Sequence, residues 1–529
     1  MEMILLPSEL LVKILIDLDF QNLLRCREVC TRFKNAIDED LRVQYKLELA
    51  IAGMKDGPPS ALTTAERLSI LRTHQDAWNK FAWTAKEDVR MHKGDVWELH
   101  GNVLAQSEGN RTLHFKQIPS AIRRIEGTEW VIPDVGCDFT EIGMDPAQDL
   151  LIVIEEFWDR SQLTCRIHLR ALSTGAPHPG PIMAMLTHKP KPGGYSYAIQ
   201  ISEEYLGIVM MCENNKELLI WEWKVGTLRW HITGPDLLSW AFLTSRFLLI
   251  THGGSEFDED NTTIREPGRP HFVVIDLESL PSSNPVTLSE VDCVCAFHYP
   301  PLEDNIEVLD VLIQCYPGPD WCPSPALSIP FSVSCEDRLF VITLWVIADD
   351  DEIGVLLLVP ASTFLRALAT LAPGETRRKF AWAEWGPRGS RLMREPRMDM
   401  SMEVRYVYGT TFVTAEADLD TRAQRLREFV VARDFNQLAI RRAVGGAGGK
   451  DSGDEWQDVR VVTDTTVFEP AGVFQEEVTT ALPYIQRVIV PFQPTEEDGE
   501  FNAVMLAEDA LVLMSSTWQS WFRCRILSF

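Results

Sequence analysis

From about residue 94 to the end of the chain, short apolar β-rich runs alternate with polar turns at near-regular intervals, and this recurrence narrows the folds open to the chain. One kind of run follows a polar turn directly: Asp149-Leu-Leu-Ile-Val-Ile154, Tyr205-Leu-Gly-Ile-Val209, Phe247-Leu-Leu-Ile250, Arg338-Leu-Phe-Val-Ile342 and Ala510-Leu-Val-Leu513. A second kind comes after it and often ends in a turn, as in Arg166–Gly175, Leu218–Gly226, Phe272–Leu277, Val355–Val359 and Phe429–Asp434. Trp97–Ala105 with Thr112–Gln117 reads as a degenerate first copy, and Arg523–Phe529 closes the series. About six to eight such units predict a β-propeller of four-stranded blades, with an array of β-sandwiches as the competing arrangement. Trp221, Trp223, Trp230 and Trp240 fall in or near these strands and are expected to pack between blades.

The first fifty residues obey a different period. Leu10, Ile14, Leu15 and Leu18 make one helical stripe behind Pro7 and Glu9, and Leu11, Val12 and Ile16 widen it until most of the circumference is apolar. Pro7 suits a helix start, and Glu9 lies at the favourable end of the helix dipole. Asp19 can cap a second helix, after which Leu23, Leu24, Cys26, Val29, Cys30, Phe33 and Ile37 recur at helical spacing. About forty residues cannot cover this much apolar surface alone, so part of it is expected to meet either a partner or the remainder of the chain.

Lys55-Asp56-Gly57-Pro58-Pro59-Ser60 is a breaker cluster. Behind it Thr63 and Glu66 form a capping-box pattern, and Leu68, Leu71, Gln75 and Trp78 predict a bridging helix from about 64 to 80. The expected organisation is a small all-α module at 1–50, a linker and bridging helix at 51–93, and a large all-β domain at 94–529.

The pattern Leu6-Pro7-x-Glu9-Leu10, Ile14-Leu15, Leu18, Leu23-Leu24, Val29-Cys30 and Phe33 resembles an F-box, with Phe33 where that family usually has tryptophan. The resemblance covers residues 4 to about 45. It implies docking of these twelve residues on a Skp-type adaptor and, through it, membership of a cullin–RING ubiquitin ligase whose β domain holds a protein substrate. The helix from Glu66-Arg67-Leu68 to Trp78, the strand end Val431–Asn436 and Leu482-Pro483-Tyr484 also resemble F-box proteins of mushroom-forming fungi. An interaction scaffold that does not promote ubiquitination, or an enzyme carried on the propeller, are the alternatives.

Bulk charge leaves a basic protein substrate possible without requiring one, since net negative charge more often only keeps a protein soluble. Fifty Lys+Arg against 77 Asp+Glu give a net charge of −27, which repels phosphate backbones and anionic lipids. Neither nucleic acid nor membrane is therefore an expected partner. Eleven cysteines without paired Cys-x-x-Cys motifs, and no signal-peptide pattern, point to reduced thiols in the cytoplasm or nucleus.

Motifs that carry chemistry fail in detail. In Val444-Gly445-Gly446-Ala447-Gly448-Gly449-Lys450-Asp451 a valine stands at the first glycine of a phosphate loop, and Asp451 stands where Ser or Thr is needed. The acidic runs at Asp258–Asp260 and Asp349–Glu352 lack calcium-loop spacing. The eleven histidines are dispersed, and no nucleophile elbow occurs. No catalytic residue, cofactor or metal is expected.

Overall fold

The computed structural model describes residues 6–529 except 161, 192, 213–214, 254–255, 258–263, 267–269, 280–281, 349–350, 396–405, 421–424, 446–456, 470–471, 490–502 and 518–519. The acidic run at 258–260, Asp349-Asp350 and most of the glycine-rich segment lie outside the described residues.

Four short helices open the chain: α1 (Ser8–Asp17), α2 (Phe20–Val29), α3 (Thr31–Glu39) and α4 (Leu41–Ala52). Asp19 caps α2 by accepting from the Asn22 N–H at 2.9 Å, and Asp40 caps α4 through the N–H groups of Arg42 and Val43. Gly53, at φ +65°, ends α4 in the left-handed conformation that glycine adopts at least cost. The bridging helix α5 (Thr64–Lys80) carries the expected reciprocal capping box between Thr63 and Glu66.

The rest is a seven-bladed β-propeller, within the range the repeat predicts. Blade I runs Trp97–His100, Val103–Glu108, Thr112–Gln117, Thr128–Ile132, each strand antiparallel to the next. Blade II comprises Glu141–Asp145, Leu150–Asp159, Gln162–Ala171 and Met185–His188. Blade III has Ser196–Ser202, Tyr205–Cys212, Asn215–Glu222 and Thr227–Thr233, extended by the parallel Ser282–Thr287. In blade IV, Leu237–Phe242, Phe247–His252, His271–Asp276 and Cys295–His298 are extended by Arg378–Phe380. Blades V and VI begin at Glu307 and Val407.

Blade VII joins the two ends of the β region. Ala503–Leu506, Ala510–Thr517 and Ser520–Ser528 supply three strands, and Ala85–Arg90 supplies the outermost. This strand corrects the boundary expected at residue 94: its sequence, Ala-Lys-Glu-Asp-Val-Arg, is mostly exposed and carries no apolar alternation, so only its pairing with the C-terminal strand reveals it.

The two recurrent apolar runs are the second and third strands of most blades. These are covered by neighbouring blades on both faces and so lose the polar alternation of a half-exposed strand. In blade II, Leu150, Leu151, Ile152, Val153 and Ile154 are all fully buried. Trp221, Trp223, Trp230 and Trp240 are buried between blades II, III and IV, as expected.

Candidate functional site

The helical module has a core of its own and an apolar surface left over. Leu11, Val12, Leu15, Leu23, Phe33, Ile37, Val43 and Leu47 pack together, with Leu18 and Cys30 half-buried against them. Leu10 is 46 % exposed, Ile14 39 %, Leu24 39 % and Val29 66 %, and none of the four belongs to the groups packed against the propeller. The arithmetic of the pattern explains the split. The apolar residues of α1 span more than one face, and a face turned to α3 and α4 cannot also be presented outward.

The twelve residues singled out by the sequence therefore take two roles. Pro7, Glu9, Leu10, Ile14, Leu24 and Val29 are exposed, while Leu15, Leu23 and Phe33 are buried. The last three hold the module together and present no contact surface. Leu6 is half-buried and its carbonyl accepts from Arg32. Pro7 sets the entry to α1, its carbonyl accepting from the N–H groups of Leu10 at 3.1 Å and Leu11 at 3.0 Å. Leu41, 51 % exposed, is a further outward apolar residue that sequence reading passed over. Its signal was there: it lies two residues off the Val43–Leu47 core stripe of α4.

The opposite side of the module is fixed to the propeller. Met54–Asp56 pairs antiparallel with Phe331–Val333, which lies in the long connection between the first two strands of blade V. Arg67 of α5 donates from Nη1 to Asp56 at 2.7 Å and to the Pro330 carbonyl at 3.0 Å. The Tyr45 hydroxyl donates to the same Asp56 at 2.8 Å, and burial together with this carboxylate pushes the phenol up from its usual range. Glu48 pairs with Arg442 at 2.5 Å and with Arg72 at 3.5 Å, and Asn436 Nδ2 donates to the Ile51 carbonyl at 2.9 Å. Trp78 stacks on the last residue, Phe529, at 4.0 Å between ring centroids. Tyr45, Leu49, Leu68, Leu71 and Phe331 make a small apolar cluster beneath.

All these contacts fall at one end of the propeller, where first strands turn into second strands: Gly101-Asn102, Gly409-Thr410 and Ala507–Asp509. Loops joining second to third strands emerge at the other end, because the strands alternate in direction. There the hairpin of blade II projects Phe157 and Trp158, 39 % and 47 % exposed, with the Arg166 guanidinium over the Phe157 ring at 3.7 Å.

Residues 3–46 match the F-box-like family model. No curated protein matches the chain. Among solved structures, the WD40 domain of Toxoplasma gondii coronin is 9 % identical, with a TM-score of 0.32 over 78 % of this chain and 88 % of that one. An uncharacterized Listeria monocytogenes protein is 9 % identical, with a TM-score of 0.25 over 59 % and 82 %. Kluyveromyces lactis Hsv2 is 9 % identical, with a TM-score of 0.20 over 51 % and 94 %. The propeller stands on its own strand pairing. The chain carries an F-box-like domain at its N-terminal end, mounted on a seven-bladed β-propeller.

Proposed function

We propose that this protein is the substrate-recognition subunit of a Skp–cullin–F-box ubiquitin ligase. The observation that carries the reading is the outward set Leu10, Ile14, Leu24 and Val29, on a module whose core is already complete. F-box domains generally bind Skp-type adaptors. Covering side chains of this kind gains roughly 1 kcal/mol each when about half their area is still exposed. Pro7 and Glu9 flank the set at the start of α1.

In this reading the propeller end away from the helices holds a target protein. Its contribution to ubiquitin transfer is proximity: the target is held near a conjugating enzyme recruited by the cullin. The many anchors between α4, α5 and the propeller favour this mechanism, since a receptor that swings freely loses effective concentration. The motifs that resemble fungal F-box proteins contribute to this joint, through Arg67, Trp78 and Asn436. F-box and propeller folds are typical of non-catalytic receptors. The proposed compartment is cytoplasm or nucleus.

The test is affinity purification with mass spectrometry of the wild type and of the double variant Leu10→Asp/Ile14→Asp, with and without proteasome inhibition. The expected result is loss of adaptor and cullin from the variant, with a few other proteins retained and accumulating. Retained proteins that never gain ubiquitin in the wild type would favour an interaction scaffold instead. Absence of adaptor and cullin from both preparations would overturn the assignment.

A further inference from the structure

Histidines that are remote in sequence are brought together by the propeller. His188 ends the outer strand of blade II, whereas Glu217 and His231 lie on the third and fourth strands of blade III. His231 pairs with Leu219, two residues from Glu217, so the two side chains share one face of the sheet. His188 reaches them from the neighbouring blade. One oxygen, Glu217 Oε2, lies 2.8 Å from His188 Nε2 and 2.9 Å from His231 Nε2. The side chains are only 10 %, 6 % and 10 % exposed for His188, Glu217 and His231.

Two imidazoles and a carboxylate with their ligand atoms within 4.8 Å of one another are a first-row transition-metal donor set. We propose that His188, Glu217 and His231 form a zinc-binding site that ties blade II to blade III. Tetrahedral zinc with ligands at about 2.0–2.2 Å places its donors roughly 3.3 Å apart, so Glu217 Oε2 needs to draw back from each imidazole nitrogen by only about half an ångström. Metal binding would release any proton held on either Nε2. A three-ligand set leaves a fourth position for water.

Two other groupings have similar composition and are poorer sites. Around Cys137, Glu155 and His168, burial pushes the Cys137 thiol up, away from the thiolate a metal needs, and Arg166 lies 3.5 Å from Glu155. In His92, Glu108 and His114, the Glu108 side chain is 58 % exposed, so ordering it around an ion costs more. These two serve as internal controls.

The experiment uses the full-length chain, stripped with chelator, and zinc chloride or cobalt chloride as the probe. Wild type is expected to bind one equivalent of zinc and to develop visible cobalt absorption. His188→Ala and Glu217→Gln are each expected to weaken zinc binding at least roughly 100-fold, while His114→Ala and His168→Ala leave it unchanged. Glu217→Gln keeps the shape of the side chain, so it separates loss of a ligand from loss of folding, and circular dichroism of each variant checks the fold. No zinc bound by the wild type, or wild-type affinity kept in His188→Ala and Glu217→Gln, would overturn the site. So would loss confined to His114→Ala or His168→Ala.

Discussion

Arg123 Nη1 lies 2.6 Å from Asp509 Oδ2, and the two residues close the propeller from opposite ends of the β region. Arg123 stands between the third and fourth strands of blade I, and Asp509 between the first and second strands of blade VII. Glu508 adds a second carboxylate at 3.2 Å, Asn102 Nδ2 donates to Asp509 at 2.6 Å, and His74 of α5 lies 3.3 Å away. The Arg123 guanidinium holds the Asp509 carboxyl well below its usual range against the desolvation that opposes it, whereas burial drives Glu508 upward. This one cluster joins blade I, blade VII and the bridging helix.

Removing one partner of a buried pair leaves the other charge without compensation, at a cost of about 3–5 kcal/mol. Asp509→Ala is expected to lower stability by about 3 kcal/mol in urea unfolding of the full chain, with Glu508 retaining part of the compensation for Arg123. In a double-mutant cycle, Arg123→Met is expected to cost clearly less in the Asp509→Ala background than in the wild type. Simple additivity of the two losses would show that the pair is not coupled.

Histidine burial gives the fold a pH dependence of defined sign. In blade IV, His252 is pushed down to about 4 by desolvation and by His271, whose ring stacks on it at 4.6 Å between centroids. The unfolded chain titrates near 6.5, so it takes up this proton before the folded chain does. Stability is thus fully present above about pH 6.5 and falls as the pH drops toward 4, by about 2 kcal/mol between pH 7.5 and 5. His74, also lowered by burial, acts in the same direction. Urea midpoints at the two pH values check this, and His252→Phe is expected to flatten the slope. An unchanged slope in that variant would assign the pH dependence elsewhere.

Gly207 tests the packing of blade III on blade IV. A methyl group at this position would lie 2.0 Å from Cη2 of Trp240, an indole that is 2 % exposed. Gly207→Ala is expected to cost roughly 2–3 kcal/mol, because neither backbone nor indole has room to yield. Thermal unfolding measures it, and Gly109→Ala, at a turn where an added methyl touches nothing, serves as a contrast in which only the left-handed φ of +64° matters.

The elements that were legible in the sequence are those whose signal is local. Thr63 and Glu66 announce the start of α5 because a capping box is a four-residue device, and Asp19 announces α2 in the same way. The second and third strands of most blades show as apolar runs because both their faces are covered. Thr411–Asp420, the second strand of blade VI, escapes that pattern through Glu416, Asp418 and Asp420. Ala85–Arg90 escapes it because an outermost strand is held by backbone pairing with a segment more than four hundred residues away. In the candidate site, period 3.6 identified which residues of α1 and α2 are apolar but not which of them face outward. The core partners that decide this, Ile37, Val43 and Leu47, lie on α3 and α4. The approach of His188 to Glu217 depends on two blades meeting, and no spacing in the chain encodes it.

Direct binding of the purified full chain to a purified Skp-type adaptor tests whether Leu10 and Ile14 belong to an adaptor-binding surface. The wild type is expected to bind by calorimetry. Leu10→Asp/Ile14→Asp is expected to lose at least a hundredfold in affinity, about 2.7 kcal/mol or more, since each carboxylate would be desolvated on docking. Its unfolding transition is expected to stay close to that of the wild type, because both side chains lie outside the core of the module. Equal affinity in wild type and variant, with both folded, would place the adaptor-binding surface elsewhere or rule it out.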